Sequence, residues 1–157
     1  MSSSITVTTA ANAESLWIIR DRMKFMGDVP GTGLAVGELE VPPGSGTPPH
    51  THASPEVFRV LSGEVTFGVF GEKPPRLVVA GAGAVVSVPP HAPHNYHNAG
   101  RTPATMLVVV VQDMITFFRD LGRREEPPAG PPSAAELAGV MAACQRHHIT
   151  LLSGPPA

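Results

Sequence analysis

Residues 50–56 of the chain read HTHASPE: two imidazoles one residue apart, then a carboxylate four positions further on. Neutral imidazole nitrogens and carboxylate oxygens are ligands for divalent first-row transition metals. On a strand, residues i and i+2 point to the same side, so His50 and His52 project in parallel with Cα atoms about 7 Å apart. A straight continuation would put Glu56 roughly 13 Å from His52, too far to share an ion. The chain must therefore turn between them, and Ala53, Ser54 and Pro55 suit a turn. Glu56 then opens the next strand, with Phe58 and Val60 on its inward side and Arg59 outward. A fourth ligand has to come from elsewhere in the sequence, and PPHAPHNYHN, residues 89–98, offers His91, His94 and His97. Five of the seven histidines fall between residues 50 and 97. In a chain poor in charge, that clustering favours a site over scattered surface histidines.

Such ligands need short strands held by tight turns. Eighteen prolines and sixteen glycines in 157 residues argue for that arrangement. LWIIR and MKFM are short strand-like pieces, and Pro30-Gly31 is placed for a type II turn. GLAVGELEV, residues 33–41, is the first clear strand, with the polar/apolar alternation of a half-buried element. EVFRVL and EVTFGVF around Ser62-Gly63 read as a β-hairpin. RLVVA and AVVSV continue the pattern, and ATMLVVVVQ is the most apolar strand, expected to be buried on both faces. Strands of this length and spacing imply an all-β sandwich or barrel.

The C-terminal third changes character. DMITFFRDLG reads as a short amphipathic helix with Gly122 as its stop. RREEPPAGPP is a proline-rich connector, and Ser133 with Glu136 forms a capping-box pattern. The helix that follows carries Leu137, Val140, Met141 and Cys144 at helical spacing. The expected organisation is a flexible N-terminus over residues 1–15, a β-barrel over 16–112 and a helical extension over 113–157 packed outside the barrel.

Bulk properties remove several function classes. Eleven basic and thirteen acidic residues give a net charge of −2 with no basic stripe, so neither nucleic acid nor an anionic membrane is an expected partner. The longest apolar run, MLVVVV at 106–111, is too short to cross a bilayer. The N-terminus lacks the basic and apolar regions of a signal peptide. Cys144 is the only cysteine, so no internal disulfide forms. A soluble, cytoplasmic protein is expected.

GSGTPPHTHASPEVFRVLSG, residues 44–63, resembles the first motif of the cupin superfamily at Gly44, His50, His52, Glu56 and Gly63. GAVVSVPPHAPHNYHN, residues 83–98, resembles the second motif at Gly83, Pro89, His94 and Asn98. One position departs: His91 stands where the family usually has glycine, so a side chain must fit a tight turn there. The tail HHITLLSGPP is similar to the end of small, single-domain, quercetinase-like cupins. The resemblance implies a double-stranded β-helix, or jelly-roll barrel, with His50, His52, Glu56 and His94 as metal ligands.

A ligand set of this kind implies one divalent transition metal ion: Fe, Mn, Ni, Co, Cu or Zn. Such an ion is a Lewis acid and a template, and Glu56 is the candidate catalytic base. Phe58, Phe67, Tyr96 and Met106 are candidates to line a pocket for a small-molecule substrate. The expected activity is that of a quercetinase-like dioxygenase acting on an enol, flavonol or related aromatic compound. The alternatives are a metal-dependent isomerase or lyase and a non-catalytic metal- or ligand-binding module. Outward apolar residues Val57 and Leu61 suit a homodimer.

Overall fold

The computed structural model describes residues 4–152. The first three residues of the expected flexible N-terminus, and the last five of the C-terminal extension with the end of its tail motif, lie outside the described residues. In chain order the elements begin with β1 (Glu14–Ile18), β2 (Asp21–Val29), β3 (Leu34–Val41) and β4 (His50–Thr51). β5 (Glu56–Ser62), β6 (Glu64–Val69), β7 (Arg76–Gly81) and β8 (Val85–Val88) follow. β9 (His94–His97) and β10 (Ala104–Val111) lead to helices α1 (Gln112–Leu121) and α2 (Ala134–Arg146), and then β11 (Thr150–Leu151).

Two antiparallel sheets face each other as a jelly-roll barrel. One has the order β1-β2-β3-β10-β5-β8 and the other β11-β4-β9-β6-β7. The core lies between them. β5 alternates as expected, with Glu56, Phe58 and Val60 buried and Val57, Arg59 and Leu61 exposed. On β10, Ala104, Met106, Val108 and Val110 are buried while the residues between them are only partly covered. The expectation that this strand is buried on both faces is therefore corrected: its outward residues are only partly covered.

The hairpin expected at Ser62-Gly63 does not form. β5 pairs with β10 and β8, whereas β6 pairs with β7 and β9. Gly63 carries the chain from one sheet to the other, at a φ of 72° and with 3.0 Å between an added Cβ and Ala104. Only glycine combines that backbone conformation with so close an approach. The two apolar strands meet across the core instead, where the Phe58 and Phe67 rings lie 5.3 Å apart. A turn signal fixes a change of direction, and here the demand to bury both inward faces decides the pairing.

The helices pack at the C-terminal end of the chain. α1 follows β10 without a break and buries Met114, Ile115 and Phe117. It ends at Gly122, which takes an extended rather than a left-handed conformation. What requires glycine there is space: an added Cβ would stand 2.7 Å from the Leu16 side chain and the Phe118 carbonyl. α2 opens with the Ser133–Glu136 capping box. Its buried face is Val140, Ala143 and Cys144, whereas Leu137 and Met141 are 49% and 62% exposed. The helical period was legible in the sequence but not its phase, which the docking sets. Arg20 donates to both oxygens of Glu136 and to the Gly130 and Pro131 carbonyls, and so orients the helix start on the barrel. β11 then pairs with β4, placing Leu151 opposite His50.

Candidate metal centre

β4 is only two residues long, and β11 and β9 hold it from either side. His50 pairs directly with His94 of β9. His52 follows β4 at the start of the turn that returns the chain into Glu56 at the head of β5. The structure thus brings the four residues together from two distant segments. Ligating nitrogens of His50, His52 and His94 all lie within 4.8 Å of one another. The Glu56 carboxylate stands 3.2 Å from His94 Nε2 and 3.4 Å from His52 Nε2.

The imidazoles are oriented by the backbone. His50 Nδ1 is 2.8 Å from the Pro48 carbonyl, His52 Nδ1 is 2.8 Å from the Ser54 carbonyl, and His94 Nδ1 is 2.7 Å from the Ala92 carbonyl. A carbonyl only accepts, so each Nδ1 carries a proton, and in the neutral form of each ring the lone pair is left on Nε2. The same arrangement orients histidines around metal ions generally. His52 Nε2 is fully buried and lacks a hydrogen-bond partner. Its 3.4 Å approach to Glu56 lacks hydrogen-bond geometry. A buried nitrogen left this way is costly unless something else satisfies it, and a metal ion would.

Electrostatics favour the metal-binding protonation states of Glu56 and His50. Burial pushes the Glu56 carboxyl up, but the neighbouring His52 and His94 imidazoles outweigh it and hold the group down at about 2. Burial pulls His50 down to about 4, against the Pro48 carbonyl. Burial also lowers His52, yet Glu56 and the Ser54 carbonyl together carry it above the ordinary imidazole value. Near neutral pH, Glu56 is an anion and His50 is neutral, as ligands must be.

Next to this cluster lies a cavity of about 90 Å³ that His50, Glu56 and His94 line together. That is the volume of several water molecules, enough for a small organic molecule. Its walls are apolar: Leu39, Phe58 and Val108 from the barrel, and Met114, Phe117, Cys144 and Ile149 from the C-terminal extension. The helices thus supply one wall of the cavity as well as packing on the barrel. Among the pocket candidates from the sequence, Phe58 and Tyr96 are on the lining. Phe67 packs behind them, 6.3 Å from the Tyr96 ring, and Met106 is fully buried in the core. His91 and His97 lie outside the cluster. His97 pairs with Thr66, and the exposed His91 donates its backbone N–H to the His52 carbonyl.

Sequence reasoning missed Asp21. It opens β2, lines the cavity, and accepts hydrogen bonds from the Tyr96 hydroxyl at 2.6 Å and from the Ser45 hydroxyl. Its one signal in the sequence is an acidic residue between two strand-like runs, which also fits any surface turn.

Fold and site together define a jelly-roll barrel with three buried histidines positioned for a metal ion at one end. Residues 37–110 match the family model of the cupin domain, and the fold is the cupin fold. Among solved structures, the polyketide cyclase RemF from Streptomyces resistomycificus superposes with a TM-score of 0.62 at 18% identity, over 89% of this chain and 99% of that one. A predicted oxalate decarboxylase from Thermotoga maritima gives 0.57 at 22% identity, over 68% and 98%. FeII HppE gives 0.58 at 20% identity, over 70% and 62%. At these identities the likeness shows the fold alone. No curated protein matches the sequence. No helix among the described residues is long and apolar enough to cross a membrane.

Proposed function

We propose that the protein is a metal-dependent dioxygenase, similar to quercetinases, acting on a small enol, flavonol-type or aromatic substrate. The observation that carries this reading is the joining of an oriented histidine–carboxylate cluster to an apolar cavity without a single lysine or arginine in its lining. A phosphorylated metabolite would need cations there, so an uncharged, largely apolar substrate fits better than a sugar phosphate. That weighs against the isomerase alternative in its commonest form. The FeII centre named for HppE shows that this fold accommodates iron in another protein.

When bound, a divalent ion would supply Lewis acidity and open positions for substrate oxygen and dioxygen. His50, His52, Glu56 and His94 would hold it. Glu56, anionic at neutral pH, would accept the proton of an enol or phenol hydroxyl as the substrate binds. Phe58 and Phe117 would exclude water and strengthen the electrostatics of the site. Dioxygen is the oxidant, and both its atoms end in the product.

The test is oxygen consumption by protein loaded with Fe(II), Mn(II), Co(II) or Ni(II), offered a panel of flavonols, catechols and cyclic enols. The expected result is uptake of one dioxygen per substrate with at least one metal. Loss of about a hundredfold or more in Glu56→Gln is also expected, with metal content measured alongside. Absence of uptake with every metal across the panel would overturn the reading.

A further inference from the structure

Asp21 is a second polar centre in the cavity, and the metal cluster does not use it. Its side chain is 4% exposed and lies on the same lining as His50, Glu56 and His94. Ser45 donates to one carboxylate oxygen and Tyr96 to the other. An ionised carboxylate has about four acceptor positions, so two hydroxyl donors leave capacity unused. Most of the remaining lining is apolar. Even with both donors in place, burial drives the Asp21 carboxyl up to about 6. A further donor from the cavity would therefore be favourable. Tyr96 sits two residues from His94 on β9 and shares its face, with Cα atoms about 7 Å apart along the strand. Asp21 and the histidine cluster line the same cavity, so a single small molecule in it can meet both.

We propose that Asp21 is a specificity-determining residue. Its carboxylate, held by Ser45 and Tyr96, accepts a hydrogen bond from a hydroxyl group of the bound molecule. The preferred ligand therefore carries a phenol or alcohol hydroxyl in addition to the oxygens it offers to the histidine cluster. This inference rests on the cavity being the substrate site, as proposed above. The same carboxylate repels anionic groups at that end, which selects neutral donors over carboxylates and phosphates.

The experiment uses metal-free protein and two probes of nearly equal shape, phenol and toluene. Binding is followed by NMR through the methyl group of Met114, which also lines the cavity. Phenol is expected to bind the native protein about tenfold or more tightly than toluene. In Asp21→Asn, one of the two hydroxyl donors loses its acceptor and the preference falls below about threefold. An undiminished preference in Asp21→Asn, equal affinities in the native protein, or no binding of either probe would overturn the proposal. If Asp21→Asn gives no cooperative melt, a crystal of native protein soaked in phenol decides. A hydroxyl within hydrogen-bond distance of Asp21 supports the proposal, and a hydroxyl elsewhere overturns it. An Asp21-dependent preference without oxygen uptake on any substrate would remove the dioxygenase reading and leave this one standing.

Discussion

His91 takes a φ of 62°, the left-handed region, and is exposed on its loop. This is the position where the motif resemblance expects glycine, and the backbone adopts the glycine conformation despite the side chain. Non-glycine residues pay for that conformation, histidine less than most. His91→Gly is expected to raise stability by about 1 kcal/mol, or roughly 2–4 °C in melting temperature, without loss of metal. Calorimetry checks this, and a lowered melting temperature would show that the histidine side chain stabilises the loop. His52 tests the opposite property. His52→Ala should lower bound metal from about one ion per chain to near zero by elemental analysis, and equal content in the two proteins would dismantle the site. Asp21 adds a pH signature. Its folded value of about 6 lies above the ordinary 3.8, so its contribution to stability is present below about pH 4 and is lost as pH rises through 6. His50 runs the other way: its folded value of about 4 lies below the ordinary 6.5, so stability is gained as pH rises through that window. Because His50 is common to both proteins, the native protein measured against Asp21→Asn isolates Asp21. The difference should fall by on the order of 2–3 kcal/mol between about pH 4 and pH 7. A flat difference in denaturant titrations would contradict the assigned burial cost.

At the scale of elements, three of the ligands were legible because their spacing is local: His50 on a short strand, His52 just past it, and Glu56 as the first residue of the next strand. The strand pairing was not, because Ser62-Gly63 and the glycines after β7 look the same whether the chain folds back in one sheet or crosses to the other. The cavity wall was legible only as an amphipathic period. Phe117 and Cys144 become lining residues through the docking of α1 and α2, which no local pattern encodes. β11 shows how far the extension reaches into the site. It pairs with β4 opposite Thr51 and His50, and Leu152 donates its N–H to the Pro49 carbonyl at 2.9 Å. β4 is too short to stay in place on one neighbour. Leu152→Pro removes that donor from the far side of β4. It is expected to weaken metal affinity about tenfold through His50 while leaving the barrel folded. Competition with a chelator, read beside circular dichroism, checks this. Unchanged affinity would mean that β9 alone fixes His50.

At the scale of the whole molecule, the outer face of the six-stranded sheet carries a row of exposed apolar side chains. Val57, Leu61 and Val85 are 41%, 43% and 56% exposed on adjacent strands. The register sets Val109 of β10 beside Val57, and Leu107 and Val85 on either side of Arg59. These side chains form one continuous patch with a single cation at its centre. The β10 residues in it are only half-covered. A patch of this kind on a small protein marks an interaction surface. A second copy of the chain is its expected occupant, since apolar rows on both protomers would bury each other about a two-fold axis. Arg59 on each protomer would stay near the rim or pair with Glu38, which lies opposite Leu107 on the neighbouring strand. Light scattering should report a dimer, and Val57→Lys combined with Leu61→Lys should convert it to a monomer that still binds one metal ion per chain. A native monomer at micromolar concentration would leave this face without a partner of its own kind. The double variant keeps the test specific, because a dimer that survives both lysines is held through another surface, such as the exposed edge strand β7 with Leu77 and Val79.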